Sequence, residues 1–389
     1  MAGSRGILTA FVILALIAGL PGAGQIRAEN SGDLELDAPS AVLMDAATGT
    51  VLFEQGADER RAPASITKVM TMILIYEALE KGLIHLDEEV MASEEAARWG
   101  GSQIYLEPGE VMTVEDLLLS VVVGSANDAS VALGEHISGS HRASVEAMNQ
   151  KAREMGLEGT SFQNAHGLDD DNHKTTARDV AVMSRYLVNR FPQVLELASI
   201  WDDYVRAGEP NEFWLVNTNR LVMDYPDADG IKTGWTPEAD FCVSGTARRG
   251  DTRLIAVVMG APTSAARFRD ASALLNWGFA AYQTVPVARK GESLQEVRVV
   301  RGEIERVKVA AADDLVVTVK KDQSDQLSSH LELEDWTRAP VEEGQVLGSL
   351  EVLLEGETLA RVDVVAAAPV NRANIWQLWY RVIQVWPFF

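Results

Sequence analysis

The hydrophobic period of this chain changes around Lys290-Gly291, and no other feature restricts the fold as much. Before that point apolar residues recur mainly at helical spacing. After it, "VRVVRG", "RVKVAA", "DLVVTVK", "HLELE" and "LARVDVV" alternate apolar and polar residues, with Gly or Asp between them. A period of 3.6 buries one stripe of a helix and a period of two buries one face of a strand, so the two parts need different architectures. The expectation is a mixed unit over residues 29–290 and a small all-β unit over residues 291–368. With 389 residues the chain is long enough to give each a core of its own.

Within the first unit, "SAVLMDAATGTVLFEQ" reads as two strands around an Ala-Thr-Gly turn. Helical patterns then run from Ser65 to about Tyr186, broken by "ARWGGSQIYLEPGE". Strand signals return in "DGIKTGW" and in "FCVSGTARRGDTRLIAVVMG", where Arg-Arg-Gly-Asp closes a hairpin, and "AARFRDASALLNWGFAAYQ" supplies a last helix. Strands, helices, strands and helix in that order predict an α/β (α+β) domain, a sheet with helices on its faces and a helical insertion.

Both ends carry special segments. Residues 1–28 have a basic start (Arg5), an apolar stretch over 7–20 and small residues beyond, the pattern of a secretory signal peptide cut after Ala28 or Gly24. The apolar run is short for a membrane span, which weighs against an uncleaved anchor. At the other end, "NRANIWQLWYRVIQVWPFF" places Ile375, Leu378, Trp379, Val382, Ile383 and Trp386 on one helical face, with Gln377, Arg381 and Gln384 opposite. Too short and polar to cross a bilayer but rich in Trp, residues 369–389 are expected to form an amphipathic helix lying in a membrane surface, the alternative being a helix docked on the β unit.

The chain has 34 basic and 57 acidic residues, a net charge of −23, and the leader holds only Arg5 and Arg27, so the rest is more acidic still. Such a surface repels phosphate backbones and excludes nucleic acid as a natural partner. Cys242 is the single cysteine, which rules out an intrachain disulfide, and within "FCVSG" it reads as a small buried hydrophobe. The six histidines show no ligand spacing, so neither a metal nor another cofactor is expected.

Chemistry enters at "APASITKVM". Pro63 and Ser65 look like a helix start, and Val69, Met70, Met72, Ile73 and Leu74 point into a core, yet Lys68 sits among them. Residues three apart share a helix face, so the Lys68 amine hangs beside the Ser65 hydroxyl. Alone, Ser-x-x-Lys is weak evidence, since about one copy arises by chance in a chain of this length. Two further patterns change that. Ser125-Ala126-Asn127 follows an apolar helix in "SVVVGSANDASVAL", and Lys232-Thr233-Gly234 lies on the predicted strand "ADGIKTGW". Singly these would be a turn and an edge-strand charge; each pattern occurs once, and in this order.

Ser-x-x-Lys, Ser-x-Asn and Lys-Thr-Gly together resemble the signature of the penicillin-recognising serine enzymes, the β-lactamases and penicillin-binding proteins. Within that group the chain resembles the low-molecular-mass D-alanyl-D-alanine carboxypeptidases over nearly its whole length, including "HGLDDDNHKTTARD" and "LLNWGF". Trp235 departs from the His that relatives often carry after Lys-Thr-Gly. The resemblance implies an antiparallel sheet flanked by helices with a helical subdomain. It also implies removal of the terminal D-alanine from peptidoglycan stem pentapeptides in cell-wall maturation and cell shape, inhibition by β-lactams, and a peripheral place on the periplasmic face of the inner membrane.

The residues suggest the steps. A serine hydroxyl needs a base, and Lys68 can be that base only when neutral, which burial and a second cation (Lys232) favour. Ser65 attacks, Ser125 relays the proton to the leaving amine, and Asn127 either binds the substrate or braces Lys68. Lys232 and the Thr233 hydroxyl attract the terminal carboxylate, and Gly234 lets substrate backbone approach the strand. The backbone N–H groups of Ser65 and Trp235 form the oxyanion hole, while Arg267 is either a further carboxylate contact or a surface helix residue. Two other readings stay in view. A class A β-lactamase deacylates with a glutamate in Glu-x-x-Leu-Asn, which this chain lacks, its matching region being "TSFQNAHGLDDDNHK". A non-catalytic peptidoglycan-binding protein would not need both a nucleophile and its base.

Overall fold

The computed structural model describes residues 34–385. The leader expected over residues 1–28, and Trp386 of the expected amphipathic face, lie outside them.

Strands β1 (Ser40–Asp45) and β2 (Val51–Gln55) form the expected hairpin. A 3-10 turn, Ala64–Thr67, then leads into the helical part. There α1 (Lys68–Glu80), β3 (Glu89–Met91), α2 (Glu94–Ala97), β4 (Val111–Thr113), α3 (Val114–Val122), α4 (Asn127–Ser138), α5 (His141–Glu154), α6 (Ala177–Arg190) and α7 (Val194–Ala198) follow one another. The hairpin of β5 (Asp202–Val205) and β6 (Phe213–Val216) and the single turn α8 (Leu221–Asp224) lead to β7 (Ala228–Thr236), β8 (Asp240–Arg249), β9 (Thr252–Ala261) and α9 (Ser264–Ala281). Threonine side chains start three of these helices by accepting a backbone N–H: Thr113 for α3, Thr176 for α6 and Thr263 for α9.

The main sheet has the order β2-β1-β9-β8-β7 and is antiparallel throughout. Strand β1 is buried on both faces, which is why "SAVLMD" is an apolar run rather than an alternation. Val42 and Met44 join the core shared with α1 and α6, while Ala41 and Leu43 join the core under α9. Because β1 pairs with β9, everything from α1 to β6 is inserted between two hairpins of one sheet. Strand β7 takes an edge and packs on the 3-10 turn.

The second unit starts earlier than its turn signals imply. Strand β10 (Tyr282–Ala288) continues straight from α9 and pairs with β13 (Leu315–Lys320), Tyr282 opposite Lys320; Tyr282 itself packs in the core under α9, while Val285, Val287 and Ala288 join the core of the second unit. With no Gly or Pro at the junction of Ala281 and Tyr282, nothing in the sequence marked it. Strands β11 (Ser293–Val300), β12 (Arg306–Ala311), β14 (Leu327–Leu333), β15 (Trp336–Arg338), β16 (Val346–Leu354) and β17 (Glu357–Ala366) form a six-stranded sheet in the order β14-β16-β17-β12-β11-β15. Thr284 Oγ1 donates to the buried Asp45 carboxylate at 2.6 Å, and the Thr48 and Thr318 hydroxyls lie 2.9 Å apart, joining the two units.

The last described element is α10 (Ile375–Val385). Its Arg381 donates to the Glu303 carbonyl at 2.8 Å, whereas Ile375, Trp376, Trp379 and Tyr380 are exposed. No helix among the described residues is long and apolar enough to cross a membrane.

Candidate active site

Ser65 sits in the 3-10 turn and Lys68 opens α1, so the three-residue spacing brings their side chains together as expected. Lys68 Nζ lies 3.1 Å from Ser65 Oγ and donates to Asn127 Oδ1 and to the His166 carbonyl, both at 2.7 Å. Lys68 is fully buried, and Ser65 is the one residue of the segment 62–70 that keeps some exposure. Burial drives the Lys68 pKa well below its ordinary value, and the nearby Lys232 charge lowers it further against an opposing pull from Asp128. A neutral amine has two hydrogens and one lone pair. The two acceptors use the hydrogens, and the lone pair is left for the Ser65 hydroxyl.

Asn127 begins α4, its N–H bonded to the Ser102 carbonyl at 2.7 Å and its Nδ2 donating to the Gly100 carbonyl at 2.7 Å. Its Oδ1 accepts from Lys68, the contact that the bracing role requires. Ser125 lies in the turn between α3 and α4, buried, with a left-handed φ of 60°. The turn is closed by the Ala126 N–H on the Ser120 carbonyl at 3.0 Å.

The other wall is β7. Lys232 is 1% exposed, and its Nζ has no hydrogen-bond partner among the described residues. Burial, with help from the Arg267 charge, pulls its pKa down to about 7. The Thr233 hydroxyl lies 2.6 Å from that of Thr218. Gly234 also makes room within the chain itself. A Cβ there would sit 2.9 Å from the Ser65 nitrogen and from the Ala64 Cβ, so the backbone of the 3-10 turn that carries Ser65 closely approaches the strand. Trp235 exposes 55% of its surface, its ring 5.9 Å from that of Phe241. Arg267 is not on the surface: 7% exposed, it donates to the Gly234 carbonyl at 3.0 Å and lies over the Phe241 and Phe268 rings. Its bonds to the Gly234 and Cys242 carbonyls tie α9 to β7 and β8. Cys242 is buried as expected, its thiol pushed up to about 11.

Sequence reading missed the His166 and Gly100 carbonyls and Gly167. A carbonyl acceptor carries no residue-type signature, since any side chain can stand above it. Gly167 did leave a trace, in "AHGLD". It has a left-handed φ of 98°, and a Cβ there would fall 1.9 Å from the Ala64 oxygen.

This arrangement, with the three motifs around one hydroxyl–amine pair at the edge of an antiparallel sheet, is that of the penicillin-recognising serine enzymes. The family model described as D-alanyl-D-alanine carboxypeptidase matches residues 26–263, and that of the penicillin-binding protein 5 C-terminal domain matches residues 282–372. The chain is 39% identical to the D-alanyl-D-alanine carboxypeptidase DacF of Bacillus subtilis over 93% of each chain. Penicillin-binding protein 5 from Haemophilus influenzae superposes with a TM-score of 0.75 at 34% identity, covering 87% of this chain and 98% of that one. Penicillin-binding protein D2 from Listeria monocytogenes, in its ampicillin-bound form, gives 0.58 at 33% identity over 64% of this chain and 99% of that one. The chain belongs to the D-alanyl-D-alanine carboxypeptidase family, and it is a serine D-Ala-D-Ala carboxypeptidase, a hydrolase of the cell wall.

Proposed function

We propose that Ser65 is the nucleophile of this carboxypeptidase and Lys68 its base. Neutral Lys68 takes the hydroxyl proton as Ser65 Oγ attacks the carbonyl of the penultimate D-alanine of a stem peptide. The developing oxyanion lies against the backbone N–H groups of Ser65 and Trp235. Collapse breaks the peptide bond, and Ser125 passes the proton from Lys68 to the departing D-alanine. Water then attacks the ester, Lys68 takes its proton, and the Ser65 hydroxyl is restored. The observation that carries this reading is the saturated Lys68 amine, with two short bonds to acceptors and its remaining face 3.1 Å from Ser65 Oγ.

Lys232 and Thr233 recognise the free C-terminal carboxylate, which gives an exopeptidase its preference. The unpartnered, buried Lys232 supports this, because an isolated ammonium in a dry site is stabilised by an incoming anion. β-Lactams acylate the same serine and leave slowly. The chain has no Glu-x-x-Leu-Asn to supply a deacylating glutamate, and Asp169, the first acid after Gly167, accepts the Thr236 hydroxyl at 2.6 Å. On its outer side α10 lies in the membrane surface, with Trp376 and Trp379 outward and Arg381 toward the β domain, so that the enzyme works as an exported, peripheral protein.

The deciding experiment incubates the protein and its Ser65→Ala variant with a pentapeptide ending in D-Ala-D-Ala, with labelled penicillin and with nitrocefin. Release of D-alanine and stable labelling, both lost in the variant, are expected. A variant that still releases D-alanine refutes the nucleophile, and rapid nitrocefin turnover refutes the slow deacylation.

A further inference from the structure

We infer that Thr67 and His173, neither of which can touch a substrate, aim and strengthen the oxyanion-binding N–H of Ser65; this rests on the role proposed for that N–H. The Ala64 carbonyl and the Ser65 N–H belong to one peptide unit. The unit is planar, so whatever fixes the direction of the carbonyl fixes that of the N–H, which points the opposite way. The Thr67 hydroxyl donates to the Ala64 carbonyl at 2.8 Å, and Thr67 Oγ1 in turn lies 2.7 Å from His173 Nε2. The backbone N–H of Gln163 donates to His173 Nδ1 at 3.0 Å, so Nδ1 bears no proton and the ring hydrogen is on Nε2. The direction of every bond follows. Gln163 N–H donates to His173, His173 to Thr67, and Thr67 spends its one hydrogen on Ala64.

Donors in series polarise one another. A hydrogen bond received by the Ala64 carbonyl draws electron density through the amide and makes the Ser65 N–H a stronger donor. Position matters as much. Ala64 has a φ of 47°, a left-handed conformation that an alanine keeps only when its surroundings hold it there. The hydroxyl of Thr67 holds one side of the carbonyl and Gly167 packs against it from another. Thr67 is 0% and His173 1% exposed, which makes both positioning residues. Burial also pulls the His173 pKa down to about 4, so the relay keeps its neutral form across the neutral range.

The test compares Thr67→Val, Thr67→Ser and His173→Phe with the parent enzyme. The measurements are penicillin acylation and deacylation, kcat and KM for D-alanine release, melting temperature, and the infrared stretch of the acyl-enzyme ester carbonyl. Thr67→Val is expected to slow acylation and deacylation together by about tenfold or more at unchanged KM. It should also move the ester stretch to higher frequency, while Thr67→Ser restores both and His173→Phe gives a smaller loss of the same kind. Parent rates and an unshifted stretch in Thr67→Val overturn the inference, as does a loss that only follows the melting temperature. If Thr67→Val does not fold, His173→Phe is judged by the same two criteria. A Ser65→Ala variant that still forms the acyl-enzyme would remove the underlying reading, a result separable from either of these.

Discussion

The two domains bury different things. In the first, Lys68, Asp128, Lys232, Arg267 and the rings of His166 and His173 are all inside. From Tyr282 onward the buried polar side chains among the described residues are Thr284, Thr318, Thr337 and Ser349, and none is charged. The buried side-chain atoms without a hydrogen-bond partner follow the same division, all six residues lying between Trp99 and Arg267. Burying a charge costs far more than burying a hydroxyl. On the mechanism proposed above, part of that cost serves the chemistry, which uses the depressed Lys68 amine and a Lys232 with no hydrogen-bond partner among the described residues. The second is an ordinary apolar core of Val, Ala and Leu.

That contrast can be broken most sharply at Lys68. Lys68→Arg keeps the charge but cannot give it up near neutral pH, and acylation by labelled penicillin should fall about a thousandfold with the fold intact. Normal labelling of that variant would mean that the buried amine is structural. Lys232→Met should lower kcat/KM for D-alanine release by about ten- to a hundredfold through loss of a charge-assisted contact. It should also shift the rise of activity with pH to higher pH, because Lys68 would lose the neighbouring cation that depresses it; an unmoved profile would separate the two lysines.

Acid should tell the domains apart as well. Unfolded His173 takes a proton below about pH 6.5, and the folded residue refuses it until about pH 4. First-domain stability should therefore fall through that window, by about 3 kcal/mol from this residue, with buried His166 adding in the same direction. The β domain buries no histidine, so calorimetry between pH 7 and 4 should show the first domain melting ever earlier than the second. A melt that moves as one unit would contradict the division. The smallest effect on activity belongs to the far end. A chain ending at Val370 should release D-alanine at the parent rate and no longer sediment with anionic vesicles, and retained sedimentation would overturn the anchor.

Much of this was legible beforehand, and the exceptions share a cause. "SAVLMDAATGTVLFEQ" gave its hairpin and "ARRGDTR" the β8–β9 turn because local chemistry determines them. Strand β10 went unseen because its apolar Val285 and Val287 follow a helix without a turn residue, and β16 because "VLGSLEVLL" does not alternate. The β5–β6 hairpin hid in a segment rich in Asp and Glu. At the site, Ser65, Lys68 and Asn127 were readable from spacing and meet directly, and Lys232, Thr233 and Gly234 line the facing strand. Of the two readings of Arg267 the surface one fails, because helix position alone does not reveal that the Phe241 and Phe268 rings lie against its guanidinium. Contacts made by backbone, such as the His166 carbonyl, stayed invisible.

One pairing described above governs when this chain can react at all. Strand β1 finds its inner neighbour only in β9, and the wall that faces Ser65 hangs on β8 beside it. A chain that emerges N-terminus first thus presents its serine long before the residues that could make it dangerous. Closing so distant a contact carries a loop-closure entropy cost that long-range pairing must meet before it is rewarded. On the mechanism proposed above, a chain cut before β9 lacks the neighbour that seats β8 and β7, and it should neither release D-alanine nor be acylated by penicillin.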